Sequence, residues 1–323
     1  MLIVQKQNNV NMRIAVTGAA GFIGSHLVDR LLKDGHYVLG IDSETYAANL
    51  SNLESARENK KFAYSKVKIQ SDECTFKIEN WKPDVIFNLA AESHVDNSIK
   101  DPRPFVESNV EGTLNLLEYV RKSGCRFFQI STDEVYGHLT KDQRGFIEGD
   151  KVRPRSPYAS SKAAADLFVM SYIETYGINA IVTRCSNNFG HRQHGEKLIP
   201  TIVRSCMNGL EIPIYGKGEN IRDWIWVEDH VDALVFLLEY GDPKNIYNIG
   251  ANNEWRNIDL VEQIRSMIPG DHKIKFVTDR LGHDFRYAID SSKMKMLGWR
   301  PKCTRQKFID FLQKEVELLC HRS

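Results

Sequence analysis

Two short segments carry the chemistry of this chain: Ser131-Thr-Asp-Glu-Val-Tyr136 and, a little later, Tyr158-Ala-Ser-Ser-Lys162. Residues four apart are neighbours on a helix, so Tyr158 and Lys162 share one face. A lysine charge beside a phenol lowers its pKa, which fits the tyrosine to take a proton from a sugar hydroxyl. That pair alone would serve a simple dehydrogenase. Asp133 and Glu134 add an acid and a base, which hydride transfer does not need and which oxidation coupled to elimination does. Two adjacent carboxyls can also cap a loop or a helix. That role accounts poorly for their place beside a Tyr–Lys couple.

A fold must bring these groups together. Short apolar runs alternate with amphipathic stretches through the first half, the pattern of a parallel sheet with helices on both faces. Strands are expected at 13–17, 37–41, 62–64, 84–88, 127–130 and 180–183, with helices starting near Gly21, at 102–104 and at Pro157. Proline suits a first helical turn, where a missing N–H costs nothing. Further on, helices are expected at 197–209, 229–239 and 306–319. A strand is expected at 212–215, and another at 244–249 returns to the main sheet. Met1 to Asn11 reads as a polar extension rather than a signal peptide.

Gly18-Ala-Ala-Gly21-Phe-Ile-Gly24 follows the first strand and opens the first helix. Glycines there allow a tight turn, close approach of backbone to a pyrophosphate, and close helix–strand packing. The helix N-terminus then faces the phosphates. Asp42 ends the second strand, where a carboxylate accepts hydrogen bonds from an adenosine ribose and repels a 2′-phosphate. Ser43-Glu44 follows instead of arginine, so NAD is expected rather than NADP. Asn88-Leu-Ala-Ala-Glu-Ser-His-Val-Asp96 leaves the fourth strand with the small residues that packing against a dinucleotide requires. His94 reads as structural. His191-Arg-Gln-His194 reads as a polar loop, because no carboxylate or cysteine set accompanies it in sequence, and no metal is expected.

A net charge of +1 offers no case for nucleic acid, and no apolar run reaches the length of a membrane span. The six cysteines lack a Cys-x-x-Cys spacing, which favours reduced thiols in a cytoplasmic enzyme.

Together these segments resemble the extended short-chain dehydrogenase/reductase family, and within it the dTDP-glucose 4,6-dehydratases. The resemblance spans about residues 12 to 300. It includes Thr45-Tyr-Ala47, Cys185-Ser-Asn-Asn188, Glu196-Lys-Leu-Ile-Pro200, Ile221-Arg-Asp-Trp224, Asp279-Arg280 and Gly282-His-Asp284 as well as the segments above. It implies an α/β fold with a Rossmann-like doubly wound parallel sheet and a smaller C-terminal sugar-nucleotide lobe. The expected division is 1–190, rejoined by about 225–250, and 191–323. By resemblance NAD would lie along Gly18, Gly21, Phe22, Ile23, Gly24, Asp42, Ser43, Thr45, Ile69, Leu89, Ala90, Ala91, Ser93, Ser108, Tyr158, Lys162 and Asn188. The sugar nucleotide would be held by Ser93, Thr132, Asn187, Lys197, Leu198, Pro213, Ile214, Tyr215, Arg222, Asn257, Arg280 and His283. Arg222 and Arg280 offer planar forks for a diphosphate.

The implied reaction oxidises C4 of a hexose with Tyr158, Thr132 and Lys162. It then eliminates water across C5–C6, with Glu134 as base and Asp133 as acid. A UDP-glucose or other NDP-hexose 4,6-dehydratase, a 4-epimerase and a decarboxylase are the neighbouring readings, and a silent dinucleotide-binding regulator is the reading from another class. The sequence departs from the family at Lys68, where an acidic residue is usual, and at Gly190 to Gly195, which replaces a proline-containing loop. The family also implies a homodimer, with 104–122 and 157–176 forming a four-helix bundle. Leu114, Leu117, Phe168, Val169 and Tyr172 are candidates for that contact or for the monomer core.

Overall fold

In the computed structural model, which describes residues 11–320, twelve strands and twelve α-helices follow one another along the chain. The expected polar extension lies, save for Asn11, outside the described residues. The strands are β1 (Arg13–Thr17), β2 (Tyr37–Asp42), β3 (Phe62–Lys66), β4 (Val85–Asn88), β5 (Arg126–Thr132), β6 (Ala180–Cys185), β7 (Asn187–Phe189), β8 (Ile212–Tyr215), β9 (Ile221–Trp226), β10 (Asn245–Ile249), β11 (Glu254–Arg256) and β12 (Ile274–Val277). The helices of the first half are α1 (Phe22–Lys33), α2 (Glu54–Arg57), α3 (Asp72–Trp81), α4 (Val95–Lys100), α5 (Arg103–Phe105) and α6 (Gly112–Ser123). Those of the second half are α7 (Pro157–Tyr176), α8 (Leu198–Met207), α9 (Val227–Tyr240), α10 (Asn257–Met267), α11 (Ser292–Leu297) and α12 (Phe308–Cys320).

Seven strands form one parallel sheet in the order β10-β6-β5-β4-β1-β2-β3. Alternation along β1 serves both faces, since side chains point to opposite sides at period two. Ile14 and Val16 pack with Leu27 and Leu31 of α1 and Leu234 of α9. Ala15 packs on the other face with Leu117 of α6 and Val169 of α7. The chain reverses its direction of sheet growth between β1 and β4, and such a switch point opens a crevice at the strand ends. A third core joins α8, α10, α12 and β8 around Ile202, Leu260 and Phe308.

The helix expected at 102–104 is broken into α5, a π-helical turn at Val106–Glu111 and α6. β9 and α10 carry no clean apolar period and were not expected. Arg222 and Asp223 are buried within β9, which hides its strand pattern from a hydropathy reading. α7 is bounded as its ends require. Ser156 Oγ accepts from Ala159 N at 3.0 Å, Pro157 fills the first position, and Gly177 closes it in a left-handed turn. Leu117, Val169 and Tyr172 are buried inside the single chain, so they serve its core. Phe168, with its neighbour Leu167, faces outward.

Candidate active site

The turn after β1 is built for something bulky and polar lying close against the backbone. Gly18 takes φ +67°, and a Cβ there would stand 2.9 Å from Ala90 N. At Gly24 a Cβ would meet the Gly18 carbonyl oxygen at 2.0 Å, so α1 packs against the turn more closely than any side chain allows. α1 starts with no side-chain cap and no acid in its first turn. Its first N–H groups are therefore left for a ligand. Gly21, Phe22, Ile23 and Gly24 line a cavity of about 300 Å³. A dinucleotide phosphate fits this cradle.

The same cavity is lined by the rest of the expected cofactor set: Gly18, Asp42, Ser43, Thr45, Ile69, Leu89, Ala90, Ala91, Ser93, Ser108, Tyr158, Lys162 and Asn188. Asp42 is buried, with Oδ2 accepting from Ala20 N at 3.0 Å and Oδ1 from Glu44 N at 2.8 Å. Lys68 is exposed and does not line the cavity. A buried polar chain sets the neighbouring loop. Thr17 Oγ1 donates to Asn88 Oδ1 at 2.7 Å and accepts from Ala90 N, while Asn88 Nδ2 donates to Thr113 and Gln129. Asn109, on the π-helical turn, accepts from Glu92 N and donates to Ser161 Oγ, tying that loop to α7.

Thr132, Asp133, Glu134, Tyr158 and Lys162 meet at the far end of the cavity. Thr132 ends β5 and itself caps the tight turn that follows, accepting from Glu134 N at 3.3 Å. Neither carboxyl is needed as the cap. Asp133 is 3 % exposed and its Oδ2 has no protein partner. Burial, then Glu134 and Asp223, push its pKa well above the ordinary carboxyl value. Glu134 is raised by burial and partly restrained by Arg222 and Lys197. A protonated Asp133 next to a Glu134 whose ionised form is favoured by nearby cations is an acid–base pair.

The protein's own groups do not lower the Tyr158 pKa as expected. Burial, followed by the Glu134 carboxylate, raises it well above the ordinary phenol value. The Lys162 ammonium donates to the Ile130 carbonyl at 2.6 Å, and burial lowers its own pKa.

The expected sugar-nucleotide residues divide into three groups. Ser93, Thr132, Asn187 and Lys197 line the cavity, with Lys197 Nζ 3.4 Å from the Ser93 carbonyl. Tyr215, Arg280 and His283 cluster elsewhere, around two carboxylates. Arg280 donates to both oxygens of Asp96, at 2.5 and 2.9 Å, and lies over the Tyr215 ring, while His283 Nδ1 is 2.6 Å from Asp279. The remaining residues lie away from the cavity wall. Ile214 is a core side chain, and Leu198 is half-buried against the same core. Pro213 is exposed on β8, and Asn257 heads α10.

Arg222 departs from the expected fork. Its guanidinium donates to the carbonyls of Ile221, Phe285 and Asp284 and lies over Tyr287, so its reach to the site is by charge on Glu134 and Asp133. Residues the sequence reading did not single out also line the cavity, among them Gln70, Glu92, Cys185, Gln193 and His194. Cys185 had one signal: it ends β6 in register with Thr132. Burial raises its thiol to about 12, which makes it an inert wall.

A family model described as GDP-mannose 4,6 dehydratase matches residues 15–311. The dTDP-glucose 4,6-dehydratase of Salmonella typhimurium is 41 % identical, covering 95 % of this chain and 92 % of that protein. The low-salt glycan biosynthesis protein Agl12 of Haloferax volcanii is 45 % identical over 90 % of this chain and 94 % of its own. Among solved structures, DesIV of Streptomyces venezuelae, a dTDP-glucose 4,6-dehydratase with NAD and TYD bound, superposes with a TM-score of 0.90. It is 39 % identical over 96 % of this chain and 97 % of that one.

Proposed function

The chain belongs to the GDP-mannose 4,6-dehydratase family, and from that premise we propose that it converts dTDP-glucose to dTDP-4-keto-6-deoxyglucose and water with bound NAD. The observation that carries this reading is the pair of carboxyls at the end of β5. Asp133, buried with an unpartnered oxygen, stands beside Glu134 in the same cavity as Tyr158 and Lys162. Oxidation alone gives such a pair nothing to do.

The glycine cradle and Asp42 would hold the cofactor, which when bound takes hydride from C4 of the sugar and later gives it to C6. Tyr158 accepts the C4 hydroxyl proton, with Thr132 beside it. The Tyr158 phenol needs cationic company to part with its own proton, and Lys162 lies one helical turn on. A ketone at C4 acidifies the C5 hydrogen, which Glu134 removes and returns to C5 once C6 has been reduced. Asp133, kept protonated by burial, delivers its proton to the C6 hydroxyl as it leaves as water. Ser93, Asn187 and Lys197 would orient the sugar nucleotide, with Tyr215, Arg280 and His283 toward its far end. Incubation with dTDP-glucose and UDP-glucose, followed by mass spectrometry, tests this: loss of one water, fastest from dTDP-glucose, is expected. A product of unchanged mass would make the protein an epimerase, and loss of carbon dioxide from a glucuronate would make it a decarboxylase.

We place it in the cytoplasm as a homodimer. No helix among the described residues is long and apolar enough to cross a membrane. Its six cysteines are unbridged, five of them buried. α7 leaves the neighbouring apolar side chains Leu167 and Phe168 exposed, and such a surface fits a second copy.

A further inference from the structure

The geometry points to a site for a divalent transition metal outside the cavity, formed by His26 of α1, His191 of the loop after β7, and Glu228 in the first turn of α9. One ligating atom from each lies within 4.8 Å of the others. Two imidazole nitrogens and a carboxylate oxygen form a donor set suited to Zn²⁺, with water completing four-coordination. His191-Arg-Gln-His194 looked like a polar loop because its partners are remote in sequence. His26 is 165 positions from His191, and the fold supplies both the second histidine and the carboxylate.

Several contacts hold these groups together. His26 is buried, and its Nε2 stands 3.0 Å from the His191 carbonyl oxygen. Ligand imidazoles are commonly oriented by such a carbonyl at one nitrogen while the other meets the metal. The His26 ring also packs edge-on against Phe22 and against His191, the latter with centroids 4.3 Å apart. Gly190 presses the loop onto α9, since a Cβ there would stand 2.6 Å from Val227 Cγ1. Positive charge nearby is only partly paired: Arg192 lies 2.8 Å from Asp29 and Lys302 3.8 Å from Asp232, yet both still act on Glu228. A tetrahedral zinc with bonds near 2.0–2.1 Å keeps its ligand atoms about 3.4 Å apart, so closure asks for about an ångström of movement. Glu228 is exposed and can rotate toward the two histidines, and His191 sits on a loop.

The same loop carries Gln193 and His194 to the cavity wall, with Lys197 just beyond. A bound ion ties α1, this loop and α9 together and stiffens one side of the cavity.

Calorimetric titration of the chelator-treated full chain with Zn²⁺ tests the site. One saturable ion per chain is expected. His191→Ala and Glu228→Gln should each weaken binding by at least the roughly 10–100-fold that loss of even a supporting group costs a metal site. The double variant His94→Ala/His194→Ala, which removes the other histidines of this region, should bind as the unmodified chain does. Circular dichroism confirms that each variant is folded, as expected for changes on an exposed carboxylate and on loops. Absence of saturable binding by the unmodified chain overturns the site, as does unchanged affinity in either the His191 or the Glu228 variant.

Discussion

At the scale of single residues, the site separates two acts that one pocket must perform in order. Tyr158→Phe should suppress oxidation itself, so stopped-flow absorbance of reduced nicotinamide stays flat in a single turnover. Glu134→Gln should leave that signal intact and trap a 4-keto hexose of unchanged carbon skeleton, with elimination slowed about 10²–10⁴-fold. Elimination at the normal rate in Glu134→Gln would mean that the base lies elsewhere. The pH dependence follows from the same group. Burial raises the Glu134 pKa, and only its ionised form is a base. Activity should therefore fall, as pH drops, sooner than an ordinary carboxylate would dictate. Arg222 is the first of the charges that restrain this rise, so Arg222→Gln should move the acid limb of a kcat profile to higher pH. The Tyr-x-x-x-Lys spacing and the carboxyl pair were legible in the sequence. The rise in the Tyr158 pKa was not, because it arises first from burial, which tertiary packing alone decides.

At the scale of elements, α7 is the part on which the site depends most. Tyr158, Lys162 and Asp166 follow at intervals of four along it. Asp166 is 1 % exposed and accepts from Arg184 Nε of β6 at 2.9 Å, which pins this face of the helix to the sheet. Removing one partner of a buried ion pair strands the other charge. Arg184→Met should cost about 3–5 kcal/mol in denaturant unfolding, and adding Asp166→Leu should restore most of it. An unaltered unfolding midpoint in Arg184→Met would show that the pair contributes nothing. Glycine and proline placed the starts of α1 and α7, and short apolar runs disclosed the strands of the main sheet. These signals missed β9, where arginine and aspartate point inward to other polar groups, and the π-helical turn, whose extra residue per turn leaves no compositional mark.

At the scale of the whole molecule, the strands of the seven-stranded sheet were legible because parallel strands buried on both faces are short and apolar. How the later segments cluster was less so. Tyr215, Arg280 and His283 come from distant stretches and meet only through tertiary packing. Assembly is testable at this scale. Light scattering at micromolar concentration should give a mass near twice 37.0 kDa. Leu167→Asp with Phe168→Asp should return monomer, because two exposed apolar side chains of α7 are then charged. A monomer in the unmodified chain would assign that surface to something other than a second copy.

The Asp96–Arg280 bridge has a kinetic meaning. Arg280 grips both oxygens of an internal carboxylate while stacked over Tyr215, whose hydroxyl also donates to Asp96 at 3.1 Å. Under the proposed role of Arg280 at the diphosphate, Asp96 would act as a resident decoy for that anion. Arrival of the nucleotide becomes an exchange of one anion for another rather than capture by a bare cation. A weakly bidentate anion such as free phosphate gains too little to evict the decoy, whereas a diphosphate with its sugar and base anchored elsewhere can. Asp96→Asn should then tighten apparent substrate binding and, more tellingly, make the enzyme newly sensitive to inhibition by inorganic phosphate.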